Sequence, residues 1–440
     1  MSREMKDSGV EWIGEIPENW EVKQLRTYFS RRINKNIHLQ EKNLLSLSYG
    51  RIVCKNIDTK EGLLPESFDG YNIIEDGDIV IRGTDLQNDH RSLRTGLVTE
   101  RGIITYAYMT LRPQKDVNST YYHYLLHCYD ISKVFYSMGG GLRQSLDYWE
   151  FIRMPVLHPT DREQEEIVSY IKTKCTAIDT AIEKTKKSIE KLEEYKKAVI
   201  TKAVTKGIDP NAKMKDSGVE WIGEIPENWK VIKLKYLLKD SMKYGATETG
   251  IKYSEKLPRY IRITDITSDN KLKDSGKLSL TEQQAEKYLL KEDTILFARS
   301  GATVGKTFLY KTEYGRAAFA GYMISAIPNN DKLLATWLYY YTLSFSYADW
   351  VKRSFLQATI QNIGADKYSN LLISLPCVNK QSEIVKYLDD KCAMFDVVIK
   401  KKKKAIEKWE EYKKSLIYYA VTGKIDCRGK ETSYEKSTIN

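Results

Sequence analysis

Cysteine is sparse in this sequence of 440 residues. Its six copies (Cys54, Cys128, Cys175, Cys377, Cys392, Cys427) never stand at C-x-x-C spacing. That spacing excludes a legible disulfide framework or zinc cluster and fits a reducing, cytoplasmic setting. Histidine is scarcer still, with five copies. Only His123 and His127 lie four apart on a stretch read as helix, and with no further ligand in the pattern they are expected to pack rather than bind metal. Long apolar runs are missing. Nothing approaches the roughly 18 residues of a membrane span, and MSREMKDSGV lacks the apolar core of an export signal. The expectation is a soluble, unexported protein without membrane contact.

Catalytic signatures are missing too. There is no Asn/Asp-Pro-Pro-aromatic motif with a glycine-rich cofactor loop for adenine methylation, no nuclease carboxylate cluster with lysine, no H-x-E with C-x-x-C, and no G-x-S-x-G elbow. SGATVGKTFLY (300–310) approaches a P-loop but leaves three residues between Gly301 and Gly305 where four are needed. The FLYK that follows reads as strand, whereas a P-loop opens a helix onto phosphate. No catalytic residue and no metal ligand is assigned. The stretch reads instead as a β-turn carrying a lysine, with Lys306 and the neighbouring amides available to a nucleic-acid phosphate.

What is present is a folded chain, 42% hydrophobic with 31 Tyr and 8 Trp, carrying a net charge of +11. The positive excess is uneven: 22 basic against 14 acidic residues over 230–377, and 18 against 16 over 21–158. Such a field suits a polyanion.

The chain also repeats itself. MKDSGVEWIGEIPENW stands at 5–20 and again, unchanged, at 214–229. A second pair begins at Gln164 (QEEIVSYIKTKCTAIDTAIEK) and Gln381 (QSEIVKYLDDKCAMFDVVIKK), with EEYKK and AVT shared further on. Apolar positions step by four and three through Ile171, Cys175, Ile178, Ile182, Thr185, Ile189, Leu192, Lys196, Val199 and Ala203. The second copy repeats them at Leu388, Cys392, Phe395, Ile399, Lys402, Ile406, Trp409, Lys413, Leu416 and Ala420. That period is a coiled-coil seam. Thr160 with Glu163 forms a capping-box pattern, and Gly207 and Gly423 mark the helix ends. The lysine run 400–404 reads as a solvated helix face, although Lys402 falls on the seam. The short connection at 206–215 favours antiparallel helices and makes the first motif meet the end of the second helix in space. Trp12, Trp20, Trp221 and Trp229 are expected as core anchors.

Between motif and helix lie blocks that differ between the halves. Each mixes strand-like runs (73–83, 260–266, 293–299) with helical stretches. Near their ends Gln144 pairs with Gln361 and Pro159 with Pro376. The expected fold is α+β, with two globular domains in pseudo-twofold arrangement separated by two long antiparallel coiled-coil helices. Its divisions are 1–20 motif, 21–159 first domain, 160–206 helix, 207–229 linker and second motif, 230–377 second domain, 378–424 helix and 425–440 tail.

This organisation resembles the specificity subunit of Type I restriction-modification enzymes. The residues that carry the likeness are SGVEWIGEIPENW in each half, RYIRITDI (259–266), ILFARSGATVGK (295–306), and the EEIV and EEYKKAVI words of the helices. The resemblance implies two target-recognition domains, each reading one half of a bipartite asymmetric site in double-stranded DNA. It implies helices that dock two methyltransferase subunits, with motor-nuclease subunits joining the full complex. S-adenosylmethionine, ATP and Mg would sit on those partners, with no cofactor and no catalysis on this chain. Base-reading candidates, chosen as polar residues in expected loops, are Arg82, Asn88, His90, Arg91, Arg94, Arg143 and Gln144, then Arg259, Arg262, Arg299, Thr303, Lys306, Gln357, Gln361 and Asn362. The competing readings are a coiled-coil protein-interaction scaffold without DNA specificity, and a self-sufficient methyltransferase or nuclease.

Overall fold

The structure, a computed structural model, describes residues 3–58, 67–86, 93–138, 145–267, 271–354 and 362–428. It divides into two compact units. One comprises residues 1–184 with 404–440, the other 185–403. The division falls within both long helices, Asp161–Lys206 and Val378–Val421.

In the first unit the repeated motif folds as a hairpin, Met5–Asp7 against Glu15–Pro17. In the second the same words fold identically, Met214–Asp216 against Glu224–Pro226. Even the turn bonds match: Trp20 N–H donates to Pro17 C=O and Trp229 N–H to Pro226 C=O, each at 2.9 Å. Trp20 and Trp229 are buried as expected, but Trp12 is 39% exposed and meets only the edge of Tyr129. It sits in the turn of the hairpin, at the margin of the core to which Tyr129 belongs.

Beyond the motif each unit builds two four-stranded sheets, one of which has the same strand order in both units. In the first unit Phe29–Arg31, Met109–Pro113, Ile79–Ile81 and Thr95–Leu97 lie side by side. In the second the order is Lys243–Tyr244, Met323–Ala326, Ile295–Ala298 and Thr307–Leu309. Each companion sheet contains one parallel pair, Leu44–Ser48 with Gly102–Ile104 and Arg259–Ile261 with Ala317–Phe319. The strands Ile79–Ile81 and Ile295–Ala298 are buried throughout, which is why they read as continuous apolar runs rather than as an alternation. The fold is α+β.

A final short strand (Pro155–His158, Leu372–Leu375) leads into each long helix. There the repeat is kept atom for atom: Gln164 Nε2 donates to Pro159 C=O at 3.1 Å, and Gln381 Nε2 to Pro376 C=O at 3.0 Å. Of the capping box, the Glu163 N–H to Thr160 Oγ1 bond is present at 3.4 Å. The Glu163 carboxylate accepts instead from the Trp20 indole N–H and Asn19, both at 3.2 Å, and pairs with Arg3.

The seam is buried at Ile171, Cys175, Ile178, Ile182 and Ile189, and at Leu388, Cys392, Ile399, Leu416 and Ala420. Trp409 is an exception at 39% exposure. Two seam lysines are held by aspartates. In the first unit Lys413 Nζ donates to both carboxylate oxygens of Asp179 at 2.7 Å; in the second Lys196 Nζ donates to Asp396 at 2.6 Å. Asp179 and Asp396 occupy the same place in the repeat, as do Lys196 and Lys413. Within each unit the pairings run in opposite senses, Asp179 with Lys413 and Glu163 with Arg428 in one, Lys196 with Asp396 and Glu193 with Lys403 in the other, so the helices are antiparallel.

The first motif meets the end of the C-terminal helix inside the first unit. Trp20 and Ile16 share a core with Leu416, Ile417, Ala420 and Val421. In the second unit Trp229 and Ile225 share one with Ile200, Ala203 and Val204 of the central helix.

Candidate nucleic-acid interface

The hydrogen-bond register aligns the two units residue by residue where their sequences do not. Leu146 N–H donates to Gly83 C=O at 2.7 Å, and Ile363 N–H to Arg299 C=O at 2.8 Å. Gly83 therefore corresponds to Arg299 and Leu146 to Ile363. Likewise Tyr108 N–H reaches Thr105 C=O at 3.2 Å, and Met323 N–H reaches Ala320 C=O at 2.9 Å, which equates the turns 105–108 and 320–323. The helices Tyr148–Phe151 and Ala365–Ser369 follow Asp147 and Gly364 at equivalent N-caps.

Four segments converge at this place in each unit: the first sheet strand, the segment after the buried strand, the turn and the short helix. In the second unit the Arg299 guanidinium lies 4.8 Å over the Tyr244 ring. Arg299 N–H donates to Tyr322 C=O at 3.1 Å, Ser300 bridges Asn362, and Ala365 N–H donates to the Tyr244 hydroxyl at 3.0 Å. In the first unit the same segments enclose a cleft of about 230 Å³, with Arg31 5.3 Å over the Tyr148 ring. Both turns carry an exposed tyrosine, Tyr106 at 74% and Tyr322 at 69%. Each unit has a cation–π pair here, but its cation comes from the first sheet strand in one (Arg31) and from the segment after the buried strand in the other (Arg299).

The sequence candidates divide on this geometry. Arg299, Thr303 and Asn362 lie at the convergence, Thr303 and Asn362 exposed. Arg299 has no hydrogen-bond partner for its side chain among the described residues, and its Nε is shut off from solvent. Arg82 precedes Gly83 there and is half-buried.

Others are committed inside the fold. Arg94 is fully buried and donates to the carbonyls of Arg82, Thr84 and Asp85 at 2.7–3.1 Å, so it braces a loop instead of reading a base. Arg259 is buried, with Nη2 donating to Lys273 C=O at 2.6 Å. Arg262 is folded onto Asp265 at 2.8 Å and onto Gly276 C=O. Lys306 Nζ donates to the carbonyls of Ile266 (3.0 Å) and Thr267 (2.5 Å), which corrects the expectation of a phosphate contact. The strand Thr307–Leu309 that follows is not the helix a P-loop needs. Asn88, His90, Arg91, Arg143, Gln144, Gln357 and Gln361 lie outside the described residues.

Sequence reasoning missed Tyr244, Tyr322, Tyr106, Tyr148, Trp149 and Arg31. Aromatic residues read as core by default, but 31 Tyr against 10 Phe is a surplus of polar-tipped rings that suits contact surfaces. His123 and His127 pack as expected: their rings stack at 5.9 Å and His127 Nδ1 meets Thr95 Oγ1 at 3.1 Å. Among the described residues no cluster of metal-ligating side chains occurs, and no helix is long and apolar enough to cross a membrane.

Comparison with known proteins agrees with this reading. Residues 226–408 match the family model described as Type I restriction modification DNA specificity domain. Over 94% of its length and 95% of the other's, the chain is 24% identical to the putative type I restriction enzyme MjaX specificity subunit of Methanocaldococcus jannaschii. This chain is similar to Type I specificity subunits along nearly its whole length. It is also 27% identical to the MjaVIII specificity subunit of the same organism over 63% of both chains. A solved chain from work on complex assembly and conformational transition of the type I restriction-modification system shares the fold, with a TM-score of 0.67, 14% identity, and coverage of 93% of this chain and 99% of that one. Residues 226–408 thus match a DNA specificity domain, and the likeness over the rest of the chain is to subunits of Type I restriction enzymes.

Proposed function

We propose that this chain is a Type I specificity subunit and that each of its units reads one half of a bipartite, asymmetric site in double-stranded DNA through the four-segment convergence. The length of the long helices sets the spacing allowed between the half-sites, and their outer faces dock two methyltransferase subunits, with motor-nuclease subunits completing the assembly. One observation carries the reading: the two units keep the same backbone bonds at the convergence and change the side chains it presents. That is what two readers of different sequences require, since backbone geometry positions and side chains specify.

The chain itself performs no chemistry in this reading. S-adenosylmethionine, ATP and Mg act on its partners, and the complex works in the cytoplasm. Exchanging residues 21–159 with 230–377 tests it. Methylation mapping of a host carrying the exchanged subunit with its methyltransferase should return the half-sites in reversed order; an unchanged motif would sink the proposal.

A further inference from the structure

The cleft of the first unit differs from the corresponding place in the second at its short helix. Its short helix begins Tyr148–Trp149, where the second unit has Ala365–Asp366. Trp149 is 66% exposed and Tyr106 across the turn 74% exposed, so two large π faces border one small opening and are left wet. Folding alone gives no reason to hold them there, because burying either would be favourable. Arg31, stacked on Tyr148, puts a cation at the rim that suits a phosphate. Asp147 lines the same cleft. Its Oδ1 accepts the helix N–H groups of Trp149 (2.7 Å) and Glu150 (3.2 Å), while Oδ2 has no partner among the described residues. A carboxylate oxygen so placed accepts from an exocyclic amino group.

We propose that this cleft holds a single unstacked base of the bound duplex, of the amino-bearing kind (adenine, cytosine or guanine, not thymine), seated against Tyr106 and Trp149. The inference rests on the DNA-reading role proposed for the first unit and makes that role unlike the second unit's. A planar ring on aromatic walls, with a cation for the backbone and an acceptor for the base edge, is the chemistry by which extruded or single-stranded bases are held. The second unit, with alanine and aspartate at the corresponding positions, reads its half-site from the stacked duplex.

The test uses the full chain and duplexes carrying its recognised sequence, altered one position at a time by a mismatch opposite the base or by an abasic site. At one position in the half-site of the first unit, a mismatch should tighten binding about tenfold, because the unpairing cost is already met. An abasic site there should weaken binding. Tyr106→Ala with Trp149→Ala should weaken binding to the intact duplex about five- to a hundredfold and abolish its distinction from the abasic duplex, whereas Trp149→Phe retains both. Both rings are mostly exposed, and an unchanged melting temperature would confirm that the fold is kept. The inference is overturned if no mismatch tightens binding, if the tightening survives in the double variant, or if the double variant loses only methyltransferase association. If the unaltered chain does not prefer its sequence over a scrambled duplex, the DNA-reading role itself fails, and that control separates the two outcomes.

Discussion

Trp20 lies against Gly423 so closely that a Cβ on the glycine would stand 3.0 Å from its Cη2 and 2.5 Å from Cδ of Pro17. Gly423 ends the C-terminal helix in the left-handed region, φ +72°. The equivalent Gly207 has φ +76°, but its added Cβ would meet Trp229 at an ordinary 3.4 Å. Alanine at 207 therefore carries only the left-handed penalty of about 1–2 kcal/mol. At 423 it adds a clash with a rigid proline ring, bringing the loss to about 2–5 kcal/mol. Calorimetry should give a clearly lower transition for Gly423→Ala than for Gly207→Ala, and equal shifts would contradict the contact.

Arg94 and Arg299 were indistinguishable as candidates and should now separate. Arg94→Ala removes a buried guanidinium that bonds the carbonyls of Arg82, Thr84 and Asp85, at a cost of about 2–4 kcal/mol to the first unit. Arg299→Ala removes a side chain held by a tyrosine face alone, so its melting temperature should stay within a degree or two of wild type. Its discrimination between cognate and non-cognate DNA should fall by about 1–3 kcal/mol. Binding titrations at fixed salt, set beside melting curves, decide it; a destabilised Arg299→Ala would show that the residue is structural.

That separation marks where the sequence stops being legible. The long helices could be read because a 3.5-residue apolar period can serve only a helical seam, and because Gln164 and Gln381 fix its register by repetition. The convergence could not. Arginine is the same letter whether its guanidinium closes on carbonyls, as at Arg94 and Arg262, or rests on a ring, as at Arg299. The contacts that decide it come from residues 3 to 55 positions away, set by how the chain folds back. The correspondence of Gly83 with Arg299 is carried by backbone bonds, which no side-chain identity records. Tyr106 and Tyr322 correspond only as members of one turn.

The aspartate–lysine pairs on the seam should act on pairing register more than on stability. Each is partly exposed, so a double-mutant cycle on Asp179 and Lys413 is expected to give about 0.5–1 kcal/mol of coupling. Replacing both lysines, Lys196 and Lys413, by leucine makes the seam uniformly apolar and removes the polar positions that penalise slipped pairings. The double variant should melt higher yet tolerate a wider range of spacings between half-sites in binding assays. An unchanged spacing requirement would show that the pairs do not set register.

Acid should weaken the first unit selectively. All five histidines belong to it. Burial pushes the His123 imidazole down to about 3, with the neighbouring His127 adding to the shift. Burial likewise lowers His127 to about 4, helped by Lys413 and Lys414. Both rings are thus harder to protonate folded than unfolded, where the ordinary value is about 6.5. Between that value and the folded ones the unfolded chain binds more protons, so stability falls as pH drops below about 6.5 and the loss continues towards pH 4. By pH 5 it amounts to about 1–2 kcal/mol for each histidine. Melting followed at pH 7.5 and pH 5 should show the first unit's transition moving down further than the second's. His123→Gln with His127→Gln should flatten that difference, and an undiminished acid shift in the double variant would place its origin in carboxylates instead.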